Sequence, residues 1–170
     1  MAIFSPLRSR SSSAGGGTIP LTLSLAHFNG IDGATTTTDE VGGITWNLAS
    51  SELDTAQAQF GSASLLFLAD GTADVSTWTS PVTGDWTIEY FVRVSSALPN
   101  LSVNQAVDHI VTNIKNGSLA VTIKNTALTI IYTYINAVGI ALNTWVHFAV
   151  VREGTSYSTF LDGTRLDTAV

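Results

Sequence analysis

The stretch Trp86-Thr-Ile-Glu-Tyr-Phe-Val-Arg-Val94 limits the fold more than any other part of the chain. Successive side chains of a β-strand point to opposite faces, so residues two apart share a face. That rule puts Trp86, Ile88, Tyr90, Val92 and Val94 on one face, and Thr87, Glu89, Phe91 and Arg93 on the other. A face so bulky and apolar needs a second layer to cover it. Similar short segments recur along the chain. "LTLSLAHF" alternates Leu21, Leu23 and Leu25 with Thr22 and Ser24, then meets Asn29-Gly30 and Asp32-Gly33. "GITWNLA", "ASLLFLA", "DHIVTNI", "SLAVTIK", "ALTIIYTYI", "WVHFAVVR", "SYSTFL" and "RLDTAV" follow. Lys115-Asn116-Gly117 and Asp162-Gly163 carry hairpin-turn chemistry. The best helical window, Asp54 to Phe60, is short and broken by Gly61, and reads as a loop or one helical turn. Many short strands at such spacing predict an all-β, antiparallel sandwich or barrel. "LLFL" and "WVHFAVV" are apolar on both faces and are expected inside a sheet. Gly61 and Asp70-Gly71 bracket the first of these because a mid-sheet strand must enter and leave sharply.

The 170 residues suit one domain with its own core. Hydrophobic residues make up 45% and charged ones 12%, a globular and not a disordered composition. No apolar run approaches the roughly 20 residues of a membrane helix, so membrane insertion is not expected. The absence of cysteine removes disulfides and thiolate metal sites. The start, MAIFSPLRSRSSSAGGG, lacks the apolar centre of a secretory signal, which predicts synthesis in a cytoplasm. Net charge is −6, yet Arg8 and Arg10 precede the first acid, Asp32. An acidic body repels nucleic acid and anionic membranes, so neither is an expected partner. Residues 1–19 read as a flexible, basic, Ser/Gly-rich arm, with Phe4, Leu7, Arg8 and Arg10 as its docking residues. Residues 20–170 read as the sandwich.

Four segments then occur in order: "LAHFNGIDGATTTTDEVGG", "DTAQAQFGSASLLFLADGTADV", "TGDWTIEYFVRV" and "NTWVHFAVVREGTSYSTFLDGTRL". Together they resemble successive landmarks of the concanavalin A-like lectin/glucanase superfamily, in its laminin-G-like branch, over residues 21 to 169. The resemblance implies a jelly-roll of two antiparallel sheets. It also implies a further strand after the Asp162-Gly163 hairpin, so the chain, ending in "LDTAV", is read first as a piece of a longer protein and otherwise as one whose partner supplies what is missing. Function does not follow from such an architecture, which serves many roles.

Glycoside hydrolysis needs two carboxylates about 5–10 Å apart. The superfamily's glucanases carry alternate acids on one strand, where this chain has Glu89 alone, an outward carboxylate expected beside Arg93. The chain is therefore not expected to be an enzyme. His27, His109 and His147 show no metal-pair spacing, and His27 and His147 occupy positions where the family also tends to place histidine. They are expected to be hydrogen-bonded structural residues. Related lectins hold Ca²⁺ with loop oxygens, for which Asp32, Asp39, Glu40, Asp70 and Asp74 are the candidates here. Asp32 and Asp70 each precede a glycine and fit turn duty better, so no metal or other cofactor is expected. For sugar stacking the aromatics to weigh are Trp46, Trp78, Trp86 and Tyr157. Trp78, in the loop-like "STWTSP", is the expected glycan contact together with Asp70 and Asp74, while most of the other tryptophans should fill the core.

Modules of this resemblance occur in bacteriophage virion proteins. The leading expectation is a non-enzymatic virion protein, either a tail-fibre or appendage subunit or a capsid decoration protein. It would be a homo-oligomer attached to other virion proteins by its arm, with a sandwich facing a cell-surface glycan. The alternatives are a carbohydrate-binding module of a bacterial surface protein and a glucanase-type hydrolase whose turnover Glu89→Gln would abolish.

Overall fold

The computed structural model describes residues 2–12, 21–41, 43–48, 51–68, 85–95, 101–104, 110–115, 118–124, 129–137 and 139–169. Among them there is no helix, and every pairing is antiparallel. The strands are β1 (Ala2–Ser12), β2 (Leu21–Ala26), β3 (Thr36–Thr38), β4 (Thr45–Asn47), β5 (Ser51–Asp54), β6 (Ser64–Phe67) and β7 (Asp85–Val94). They continue with β8 (Leu101–Asn104), β9 (Ile110–Lys115), β10 (Ser118–Lys124), β11 (Ile130–Ala137), β12 (Trp145–Glu153), β13 (Ser156–Leu161) and β14 (Thr164–Ala169). An eight-stranded sheet runs β14-β13-β12-β7-β1-β6-β5, with β2 also paired to β1. A four-stranded sheet runs β11-β10-β9-β8, and β3 and β4 form a small ribbon.

The core lies on one face of the large sheet. Trp86, Ile88, Tyr90, Val92 and Val94 of β7 are all buried, as their alternation requires, beside Val146, Phe148 and Val150 of β12. Leu119, Val121 and Ile123 of β10 and Tyr132 of β11 belong to the same buried cluster. Tyr132 stacks on Tyr157 at 5.4 Å, and its hydroxyl shares a 2.8 Å hydrogen bond with Thr159 of β13. This arrangement is consistent with a two-layer β-sandwich. Each large side chain in the cluster contributes about 1.5–3 kcal/mol by leaving water. β6 lies inside the sheet, between β1 and β5, as the apolar burst predicts. The 54–60 window forms a loop after β5, where Asp54 Oδ1 accepts the Ala56 N–H at 2.8 Å.

One expectation is corrected. Residues 2–12, read as part of a flexible arm, form a strand inside the sheet. β1 pairs with β7 from Ala2↔Val94 to Ser12↔Asp85, and on its other side with β6 and then β2. Extended backbone needs partners for its N–H and C=O groups, and two flanking strands supply them whatever the side chains are. Pro6 has no N–H to give, and it falls where the register with β7 slips by one residue, between Ser5 and Arg8. The four residues read as docking contacts are therefore register positions: Phe4 opposite Val92, Arg8 opposite Glu89, Arg10 opposite Thr87, and Leu7 opposite Ala26 of β2. Residues 13–19 of the expected arm lie outside the described residues.

A second difference concerns β2. Its alternation favours Leu25 for the core, yet Ala26 and Phe28 are buried and Leu25 is only half-buried. The loop after β2 sets this parity, because Phe28 adopts φ +58° and turns its ring inward against Trp46, edge-on at 5.5 Å.

Candidate functional site

The face of β7 and β12 turned away from the core carries the most chemically varied set of side chains among the described residues. Strand alternation delivers Glu89, Phe91 and Arg93 from β7, and Trp145, His147 and Ala149 from β12. The register places Trp145 opposite Arg93, His147 opposite Phe91, and Ala149 opposite Glu89. Diagonal neighbours on such a pair lie within reach of long side chains. Accordingly His147 Nε2 meets Glu89 Oε2 at 3.3 Å, while the imidazole lies against the Phe91 ring at 4.7 Å between centroids.

Phe60 completes the strip. It comes from the loop after β5, meets Phe91 edge-on at 5.2 Å, and remains 45% exposed. The result is a continuous row of Phe60, Phe91 and His147, flanked by an acid and a base. Turns at both ends fix it. Asp162, at φ +47° in the β13–β14 turn, bonds His147 twice through the backbone: Oδ1 accepts the His147 N–H, and the Asp162 N–H donates to His147 O, each at 2.8 Å. Arg93 Nε donates to Asn143 O at 3.2 Å, and Asn143 N donates to Val94 O at 2.7 Å. Glu89 and Arg93 do share a face, as the sequence indicates, and one contact of the Glu89 carboxylate is with His147.

The other histidine–glutamate contact belongs to a different structure. His27 Nδ1 lies 3.2 Å from Glu40 Oε1, and the His27 N–H and Asn29 Nδ2 also donate to that carboxylate. Asn29 Oδ1 accepts the Ser62 N–H at 2.8 Å, tying the end of β2 to the approach to β6. Gly61, at φ +69°, sits so close to this carboxamide that a Cβ there would overlap Asn29 Oδ1. His27 lies just past β2, and His109 lies outside the described residues.

The oxygen ligands weighed for calcium are spread over separate duties. Asp32 Oδ1 accepts from Thr55 N and Oγ1, Asp39 accepts from Leu25 N and Val41 N, and Glu40 holds the His27 loop. No three His, Asp or Glu residues among those described gather into a cation site. Asp70, Asp74 and Trp78 lie outside the described residues. Trp86 and Tyr157 are buried, and Trp46 is half-buried against Phe28, so none of these three presents a free stacking face. Phe60, Phe91 and Trp145 were not singled out for sugar stacking from the sequence. The available signal was the alternation itself, which leaves Phe91 alone as an aromatic on the polar face of β7. Comparison with family models, curated proteins and solved structures returns no match.

Proposed function

We propose that the chain is a non-enzymatic adhesion domain that binds a glycan on the Phe60–Phe91–His147 face of its large sheet. The observation that carries this reading is an aromatic row on the outer sheet face, exposed at Phe60 and half-buried at Phe91 and His147, with hydrogen-bonding groups on its flanks. The apolar C–H face of a pyranose ring covers an aromatic ring while its rim hydroxyls need donors and acceptors. Glu89 offers acceptors, His147 a ring nitrogen, and Arg93 further guanidinium donors. The rigidity of the two central strands holds these groups in place before a ligand arrives, which reduces the ordering cost of binding.

Hydrolysis fits this face less well. Glu89 meets an imidazole, whereas a glycosidase sets a second carboxylate about 5–10 Å from the first. The jelly-roll connectivity and the role in a bacteriophage particle, as tail-fibre, appendage or decoration protein, rest on the ordered motifs described above. Within that reading adhesion belongs to the sheet face, and β1 is a structural strand instead of a tether. A carbohydrate-binding module of a bacterial surface protein would use the same face. A glycan array probed with the labelled chain tests the proposal. Retention of a defined subset of glycans is expected, and a chain that is folded yet retains none would overturn it.

A further inference from the structure

Arginine is unevenly placed on the fold. The chain has Arg8, Arg10, Arg93, Arg152 and Arg165, and the register sets all but Arg152 at outer-face positions of the large sheet. Residues directly opposite one another on antiparallel strands share a face. Arg8 stands opposite Glu89 and Arg10 opposite Thr87, while Arg165 is opposite Phe160, which is itself opposite Ala149. Glu89 therefore has a basic register partner on β1 and the His147 imidazole 3.3 Å away on β12.

Arg93 is placed differently. Its register partners are Trp145 on β12 and Ile3 on β1, and Phe91 precedes it by two residues on the same face. Ser5 and His147, the partners of Phe91, complete this ring of neighbours, and none of them is an acid. The guanidinium is also held. Its Nε donates to Asn143 O at 3.2 Å, and Asn143, at φ +61°, is tied to β7 by its N–H on Val94 O. The two Nη groups of a guanidinium form a planar fork that matches a carboxylate. Phe91 lies about 7 Å along the strand from Arg93, so a sugar stacked on the phenyl ring brings its substituents within reach of that fork. The chain's net charge of −6 does not decide against an anion here. At physiological salt, exposed charges more than about 8 Å away are largely screened, and the nearest groups dominate.

We infer that the sugar bound on this face carries a carboxylate, which Arg93 takes bidentately while Phe91 carries the ring. The inference rests on the adhesion reading and names its ligand class, a uronic or ulosonic acid residue of a glycan. Arg93 is then the residue that sets specificity, and Phe91 supplies contact area that a neutral sugar would share.

Glycan-array binding of the full chain, followed by titration, tests it. The array carries neutral, sulfated, uronate-bearing and sialylated glycans, and its last two arms tell the carboxylate sources apart. Retention of carboxylated glycans is expected. Reducing the carboxylate of a retained glycan to a primary alcohol should weaken binding about tenfold or more. Arg93→Gln should lose the same factor for the acidic glycan and bind the reduced one as the parent does. Arg165→Gln, at an exposed position on the same face, should leave binding unchanged. The reduced glycan needs no variant, so the test stands even where Arg93→Gln fails to fold. Retention of neutral or sulfated glycans alone, or reduction without effect, would overturn the inference and leave the adhesion reading standing. So would a folded Arg93→Gln that binds the acidic glycan as tightly as the parent. A folded chain that retains no glycan overturns both.

Discussion

Among the described residues, two histidine–glutamate contacts have nearly equal length, His27–Glu40 at 3.2 Å and His147–Glu89 at 3.3 Å, with opposite surroundings. The first is woven into backbone. Glu40 accepts from the His27 N–H, Asn29 reaches both Glu40 and Ser62, and buried Phe28 holds a left-handed conformation between them. Such a conformation costs a bulky residue about 1–3 kcal/mol and persists only where neighbours enforce it. The second contact lies on the outer sheet face beside the half-buried Phe91 ring, and the backbone beneath it is already fixed by the β7–β12 ladder. The same pair of residue types therefore locks a loop in one place and furnishes a surface in the other. Surroundings, more than the pair itself, decide which.

This comparison can be broken by stability measurements. Gly61→Ala should have the largest effect, lowering unfolding free energy by about 3 kcal/mol, because a side chain there is strained and displaces Asn29. Denaturant titration reads the loss directly. Asn29→Ala removes the acceptor of the exposed Ser62 N–H, which water then solvates, and should cost about 1 kcal/mol by the same titration. Glu40→Gln keeps the shape of the carboxylate but weakens its charge-assisted bonds, and a loss of under about 1 kcal/mol is expected in thermal melts. Glu89→Gln should be smallest in stability, under about 0.5 kcal/mol, since a partly exposed contact on a preformed face contributes little. A larger loss at Glu89 than at Asn29 would erase the distinction.

Much of the fold was legible because the core-forming strands obey period-two chemistry. β7 shows it most clearly: five alternate residues from Trp86 to Val94 are buried. The β9–β10 and β13–β14 hairpins follow their turn residues in the same way. β1 was hidden because its residues are mostly Ser, Arg and Pro, and its place depends on backbone pairing with strands distant in sequence. β3, β5 and β8 are too short to show a period. The parity of β2 was obscured for a related reason, since the turn at Phe28 and not the leucine pattern sets which face is buried. At the candidate site, Glu89 and Arg93 were correctly placed on one face. The meeting of Phe60 with Phe91 was not visible, because a loop residue and a strand residue 31 positions apart come together only through the sheet.

Paired binding and unfolding measurements on Phe91→Ala and Asn29→Ala, with a glycan retained on the array, test the division of labour most directly. The account predicts that Phe91→Ala weakens binding about tenfold, the worth of one aromatic stack, and melts within a few degrees of the parent. Asn29→Ala should melt lower and, where still folded, bind as the parent does. Unchanged affinity in Phe91→Ala, or affinity lost only with Asn29, would contradict it.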